Sequence, residues 1–444
     1  MLKKYPKTFR TLLNIFIVMF FSGILWFNPT VLVRTISFFE NGAFGLQLRY
    51  NHKPVTADTP ITIVAIDDKS IQEQGQWPWA RKKIGSVLTK LFDLGASVIA
   101  VDVMFSEKED NPLEEVLQEL GPTFPQRAQL EEKREMFDGD LDFAKALEKG
   151  KSVLSFVLTR GGKDIGLLPP ALQGISKKTF QQLHIPEMEN YIGNITVLQR
   201  AAKHGGLINS TPDRDGVVRY APLMLGYKGN LYPSLSLESV RLFLNENSID
   251  FNLAAYGKEE VLEGVFLGPQ LIPTDPYGRV LIPFHGGPYS FQYVSASEVL
   301  SDSVLREKIE NKIIFIGLSA TAFGDLIPTP VSSIFPAVEV HANLAASMID
   351  GFFPIRPLWG KGFELVHIIV VGLLCAFLLP RMGPIRATLF AVALTALLLA
   401  INRWICLKYQ LYLPIIFPLF VLYVQFFASL VTGLLVAHKS HHRS

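Results

Sequence analysis

"ITIVAIDDKSIQEQGQWPWARKKIGSVLTKLFDLGASVIAVDVMF", residues 61–105, decides the fold. It opens on six apolar or β-branched residues, and a second run of that kind, Ser97–Phe105, closes it. Near-continuous runs of this sort suit strands covered on both faces, as in a parallel sheet. Between them Ile84, Val87, Leu88, Leu91 and Phe92 recur at helical spacing, and Gly95 stops the pattern. Strand, helix and strand within about 45 residues make a crossover unit.

Outward from this stretch the pattern continues. "KIIFIG" (312–317) and "SVLSFVL" (152–158) read as further buried strands, the latter after a helix over 141–150. Residues 205–225 and 271–286 each read as strand, turn and strand, with Asp275-Pro276-Tyr277-Gly278 as the second turn. Amphipathic spacing predicts a helix over 232–246 and another from Ser295 or Ser297 as cap. A final helix over 337–351 ends at Gly351. Residues 107–140 are a charged insertion, a solvated helix or mobile hairpin to which the sequence assigns no chemistry. The expected fold class is an α/β body with a mostly parallel central sheet plus strand hairpins, followed by an all-α membrane part.

The membrane part rests on composition. Of 444 residues, 49% are hydrophobic and 18% charged, which leans toward a membrane protein with a long polar middle. The net charge of +2 supplies no global field for nucleic acid. The two cysteines, Cys375 and Cys406, both lie in the apolar C-terminal part, so the middle holds no disulfide framework and no cysteine-based zinc site. Spans are expected at 11–33, 361–380, 387–402 and 411–437. Basic residues at 1–10, at Arg381–Arg386 and in the tail 438–444 place those segments in the cytoplasm, and residues 34–360 outside. The first span lacks a small-residue cleavage site and reads as an uncleaved anchor. Glu364 and His367, near the outer mouth of the second span, read as interfacial anchors.

Asp67 ends the first strand, Asp68 follows it, and Asp102 lies near the end of the second. If those strands are neighbours, Asp67 and Asp102 approach the same carboxyl edge, where open α/β sheets bind ligands. A buried carboxylate needs donors, a cation or solvent, and Arg81 or Lys69 is close enough in sequence to pair. One reading is a pocket for a small cationic or polar signal, or for a divalent metal held by oxygens. The other has Asp67 capping backbone N–H groups and Asp102 satisfying an arginine. Trp77-Pro78-Trp79 is either an aromatic lid or cover for the sheet edge. Asp213-Arg214-Asp215-Gly216 lacks the further ligands of a calcium loop and reads as a turn, as does Asn209. "SATAFGDLIPTP" (319–330) lacks the spacing of a nucleotide-binding loop; within it Asp325, and later His341, are the members to watch. No catalytic residue, resident metal or cofactor is assigned.

The motifs "VAIDDKSI", "QWPWARKKIGSVLTKLFDLGASVIAVDVMFSE", "GLINSTPDRDGVVRYAPL", "YPSLSLESVRLFL", "GRVLIPFHGGP", "KIIFIGLSATAFGDLIPTPV" and "PAVEVHANLAASMIDGFF" occur in this order. The series resembles the second CHASE-type family, the sensory extracellular domains associated with cyclases and histidine kinases, over about residues 38–358. One span before such a domain and three after it is also similar to the family's plan. The resemblance implies an input module in a bacterial cytoplasmic membrane, with its sensor domain in the periplasm. It also implies an unknown small-molecule or protein stimulus, a homodimer, and a cytoplasmic output: adenylate cyclase first, then diguanylate cyclase or kinase. The sequence given holds no such output domain. Small-residue spacing for helix pairing is weak, at Ala387–Ala391 and Ala428–Thr432. The competing readings are a membrane-anchored periplasmic enzyme and an envelope-binding protein, either using the Asp67/Asp102 edge.

Overall fold

The computed structural model describes residues 6–27, 30–121, 125–173, 177–257, 259–320 and 326–441. Two compact units emerge: residues 52–353 form an α/β unit, and residues 1–51 with 354–444 form a helical unit.

In the α/β unit, Ile61–Ile66 lies inside a seven-stranded sheet. The order runs Gln292–Ser295, Ile61–Ile66, Ile313–Leu318, Val98–Val101, Ser152–Thr159; both Asn190–Ile192 and Lys203–Leu207 then pair with the last of these. Every pairing is parallel except that of Asn190–Ile192. The two strands of the opening stretch are therefore parallel but not adjacent, because Ile313–Leu318 sits between them. Side chains alternate as a strand's two-residue period requires. Ile61 and Ile63 join Val98, Ala100, Ile313 and Phe315 on one face, under the helices Leu235–Phe243 and Ala337–Asp350. Val64 and Ile66 join Ile99, Val101, Ile314 and Ile316 on the other, under Arg81–Asp93 and Gly139–Leu147.

Strand hairpins form between Ile249–Tyr256 and Glu259–Leu267 and between Met224–Tyr227 and Asn230–Pro233, whereas the two strand–turn–strand segments read in sequence do not pair with themselves. Lys203–Leu207 runs parallel to Ser152–Thr159, and Tyr220–Pro222 pairs with Arg279–Leu281, so the local strand–turn–strand patterns serve distant partners. Gln270–Pro273 instead pairs with Glu259–Leu267. The Asp275–Gly278 turn does form: Gly278 N–H donates to Asp275 O at 3.0 Å, and Gly278 takes φ 73°. The charged insertion carries two helices, Pro112–Leu120 and Arg127–Glu131, the first burying Leu113 and Leu117.

Among the described residues, the helical unit holds four helices long and apolar enough to cross a membrane: Lys7–Phe27, Gly360–Arg381, Pro384–Tyr409 and Ile416–Leu435. Thr30–Tyr50 forms a further helix after the first. Polar side chains latch the interior. Asn14 Nδ2 donates to Ser429 Oγ at 2.8 Å, and Gln425 Nε2 donates to the carbonyls of Gly372 (2.9 Å) and Asn14 (3.2 Å). Glu40 accepts the N–H groups of Ile415 (3.1 Å) and Ile416 (2.9 Å), where the last long helix starts. Glu364 is buried in this unit. Ala387 and Ala391 are packed inside the unit with Leu422 and Phe426, so that small-residue face already has an occupant from the same chain.

Candidate functional site

The carboxyl ends of the central strands gather most of the residues singled out in sequence. Asp67 caps the helix Asp68–Gln74: its Oδ1 accepts Ser70 N–H at 2.8 Å and the Ser295 hydroxyl at 2.8 Å. Ser70 Oγ lies 2.7 Å from Ser295 Oγ and accepts Ser297 N–H at 3.1 Å. All three serines are buried, so their hydroxyls bind the Ile61 and Gln292 strands together and face no solvent. Asp68 is exposed in the first turn of its helix, where a negative charge suits the helix dipole. Asp102 is buried, 7% exposed, and its N–H donates to Ile316 O at 2.8 Å. One strand separates Asp67 from Asp102, a span of about 10 Å at normal strand spacing.

The cations expected beside these carboxylates make their ion pairs with other acids. Lys69 pairs with Glu298 at 2.8 Å, which raises its pKa. Arg81 lies 3.4 Å from Asp140 and stacks 4.4 Å from the Phe105 ring centroid. Its backbone N–H donates to Glu109 Oε1 at 2.9 Å, and Glu109 N–H donates to Asp140 Oδ2 at 3.0 Å. Arg81 thus clasps the start and the end of the charged insertion against the sheet. Asp140 is 5% exposed, and burial pushes its carboxyl up while the Glu109 N–H and Arg81 oppose it. Trp79 is buried in the sheet's core, donating Nε1–H to Gly75 O at 2.9 Å, and Trp77 meets it edge-on at 6.0 Å between ring centroids. Asp325 lies outside the described residues.

Beside Arg81's clasp opens a cleft of about 1120 Å³, bounded by the insertion, the helix Gly139–Leu147 and residues 195–201. No chemistry was legible in this insertion from sequence; its amphipathic Leu113 and Leu117 were the available sign that it packs.

A second polar cluster lies on the opposite face of the sheet. Glu339, Asn343 and Ser347 stand four residues apart along one side of the helix Ala337–Asp350. Glu339 is 0% exposed and accepts the N–H groups of Tyr289 (2.7 Å) and Ser290 (2.8 Å) and the Tyr293 hydroxyl (3.0 Å). Burial pushes its carboxyl up, and these donors oppose the shift. His285 N–H donates to Asn343 Oδ1 at 2.7 Å. Its Nδ1 lies 2.7 Å from the Lys53 carbonyl, which can only accept, so Nδ1 carries the proton and Nε2 accepts from Ser347 Oγ at 2.9 Å. Burial holds this imidazole below its ordinary pKa. His341, on the same helix, stacks on Phe315 and is hydrogen-bonded to Ser236 Oγ at 3.0 Å; desolvation lowers it to about 4. It belongs to this helix–sheet contact and not to the Asp67 edge. The Glu339–Asn343–Ser347 stripe escaped sequence reading, although polar residues at every fourth place of an apolar helix announce it.

The sequence profile of the CHASE2 domain matches residues 15–377. No curated protein and no solved structure matches the chain.

Proposed function

Because the chain belongs to the CHASE2 family, whose domains are the sensory extracellular parts of signalling proteins, we infer that it is a transmembrane sensor. Its α/β unit faces the periplasm, and its four apolar helices lie in the bacterial cytoplasmic membrane. A small molecule or protein changes the outer unit, and the chain passes that change to a cytoplasmic output. An adenylate cyclase is the first choice of output, a diguanylate cyclase or a kinase the next, working as a homodimer. The stimulus is read at the carboxyl end of the sheet, on the side that Asp67, Asp102 and Arg81 mark. The enzyme and envelope-binding readings gain no specific support, since the serines beside Asp67 are buried and mutually hydrogen-bonded.

One observation carries this reading. The helix Ala337–Asp350 is packed on the central sheet through Val338, Ala342 and Ala345, and after nine intervening residues the chain enters the span Gly360–Arg381. A shift of the sheet therefore has a direct covalent route to the membrane, and a coupling of about 1–3 kcal/mol is enough to bias an output. The test is a fusion of Ser444 to a nucleotide-cyclase catalytic domain in a cyclase-deficient bacterium. Inserting Ser-Gly-Ser-Gly between Gly351 and Trp359 is expected to change cyclic-nucleotide levels severalfold at equal expression. Identical levels with and without the insertion overturn the reading.

A further inference from the structure

We propose that the cleft beside Arg81 is a binding site for a short zwitterionic peptide. This deepens the sensor reading and rests on it for the ligand's meaning as a stimulus.

The charge inventory of the walls carries the assignment. Most ionised groups there are already committed. Arg134 pairs with Glu114, Asp140 with Arg81 and Lys145 with Asp142, while Asp138 caps a helix by accepting Leu141 N–H at 3.1 Å. Glu109 accepts the Arg81 N–H. Four side chains on the walls carry no hydrogen bond or ion pair among the described residues: Lys108, Arg200, Asp110 and Glu148. All four are exposed. Two free cations and two free anions in one cleft complement a ligand that bears both signs. A ligand of a single sign would meet like charge on half of these groups.

The floor between these charges is apolar, with Ala144, Ile195 and Ala201 buried and Leu141 and Val197 half-buried. It offers contact for side chains. Size argues against a single amino acid: small-ligand clefts span about 300–1000 Å³, and this one, at about 1120 Å³, leaves most of its space to water around so small a guest. An unblocked peptide of a few residues supplies an ammonium for Asp110 and Glu148, a carboxylate for Lys108 and Arg200, and side chains for the floor. Its arrival is felt at the sheet, because the Arg81 clasp joins Glu109 and Asp140, both on the cleft wall, to the Phe105 ring beyond the second central strand.

The test uses the full chain in detergent micelles and a set of free tetrapeptides that presents every natural side chain at the two middle positions. Binding is read by calorimetry and by the rise in Tm. At least one peptide is expected to bind, and its N-acetylated and C-amidated forms to bind about tenfold more weakly each. Asp110→Asn with Glu148→Gln is expected to erase the penalty for acetylation, and Lys108→Gln with Arg200→Gln the penalty for amidation. These side chains have no partners in the fold, so the variants keep the parent's circular dichroism. Failure of every free peptide to bind, or equal binding of free and blocked forms, overturns the proposal. If no peptide binds while the cyclase fusion still responds to the linker insertion, the peptide site fails and the sensor reading stands. If a peptide binds as described while the fusion is indifferent, the site stands and the sensor reading fails.

Discussion

Glu339 has no exposed surface, and three donors meet its carboxylate. Removing the acceptor strands those donors in the interior, at about 1–3 kcal/mol for each group left unpaired. Glu339→Ala is expected to lower the unfolding free energy by about 3 kcal/mol, and Glu339→Gln, which keeps one acceptor, by less; denaturant titration of the full chain in micelles checks the order. His341 supplies a pH dependence of opposite kind. Its folded pKa, about 4, lies below the ordinary imidazole value, so the neutral form is the one the fold prefers. The stability it contributes is whole above about pH 6.5 and is lost as pH falls through about 4, a change of about 3 kcal/mol. Unfolding measured at pH 7 and pH 4.5 is expected to differ less in His341→Asn than in the parent. Sequence located Asp67 and Asp102 at strand ends. It offered the Asp67 cap on backbone N–H groups but not the Ser295 hydroxyl, which is brought to Asp67 by a strand from the far end of the domain.

Helix Ala337–Asp350 approaches the sheet where Gly317 leaves room. A Cβ at that position would lie 2.6 Å from Val338 Cβ, so Gly317→Ala forces the helix off the strand. Overpacking of this sort costs about 1–3 kcal/mol. We expect Val338→Ala to recover part of the loss in the double variant, a non-additivity that a thermal-melt cycle reads directly. Among the elements, four of the parallel strands and the helices Arg81–Asp93, Leu235–Phe243 and Ala337–Asp350 were legible because burial on both faces and helical periodicity are local signals. The partners of Lys203–Leu207 and Tyr220–Pro222 were not. A strand, a turn and a strand read alike whether they pair with each other or with segments elsewhere. The cleft was illegible for the same reason, since its walls come from three separate stretches of chain.

Across the whole molecule, an α/β unit is joined in sequence to a unit with four apolar helices among the described residues. Cys375 and Cys406 are buried in two of those helices, so a single introduced cysteine reports without background. Lys163→Cys is expected to react with a membrane-impermeant maleimide added to intact spheroplasts; labelling only after lysis would reverse the orientation. The helical unit's Asn14–Ser429 and Gln425–Gly372 bonds tie the first, second and last spans together. Bonds of this type contribute about 0.6–2 kcal/mol in membranes, which favours these spans shifting jointly over any one of them turning alone.

The strand Ile313–Leu318 lies between Ile61–Ile66 and Val98–Val101, yet the ribosome makes it long after both. During synthesis the slot between the two early strands stands empty. Their bare edges are templates for the wrong neighbour. A nascent chain stalled before Ile313 has no native sheet to reach, and such late, long-range closure is slow. The yield of this protein is therefore expected to depend on whatever shields its early strands until the strand between them is made.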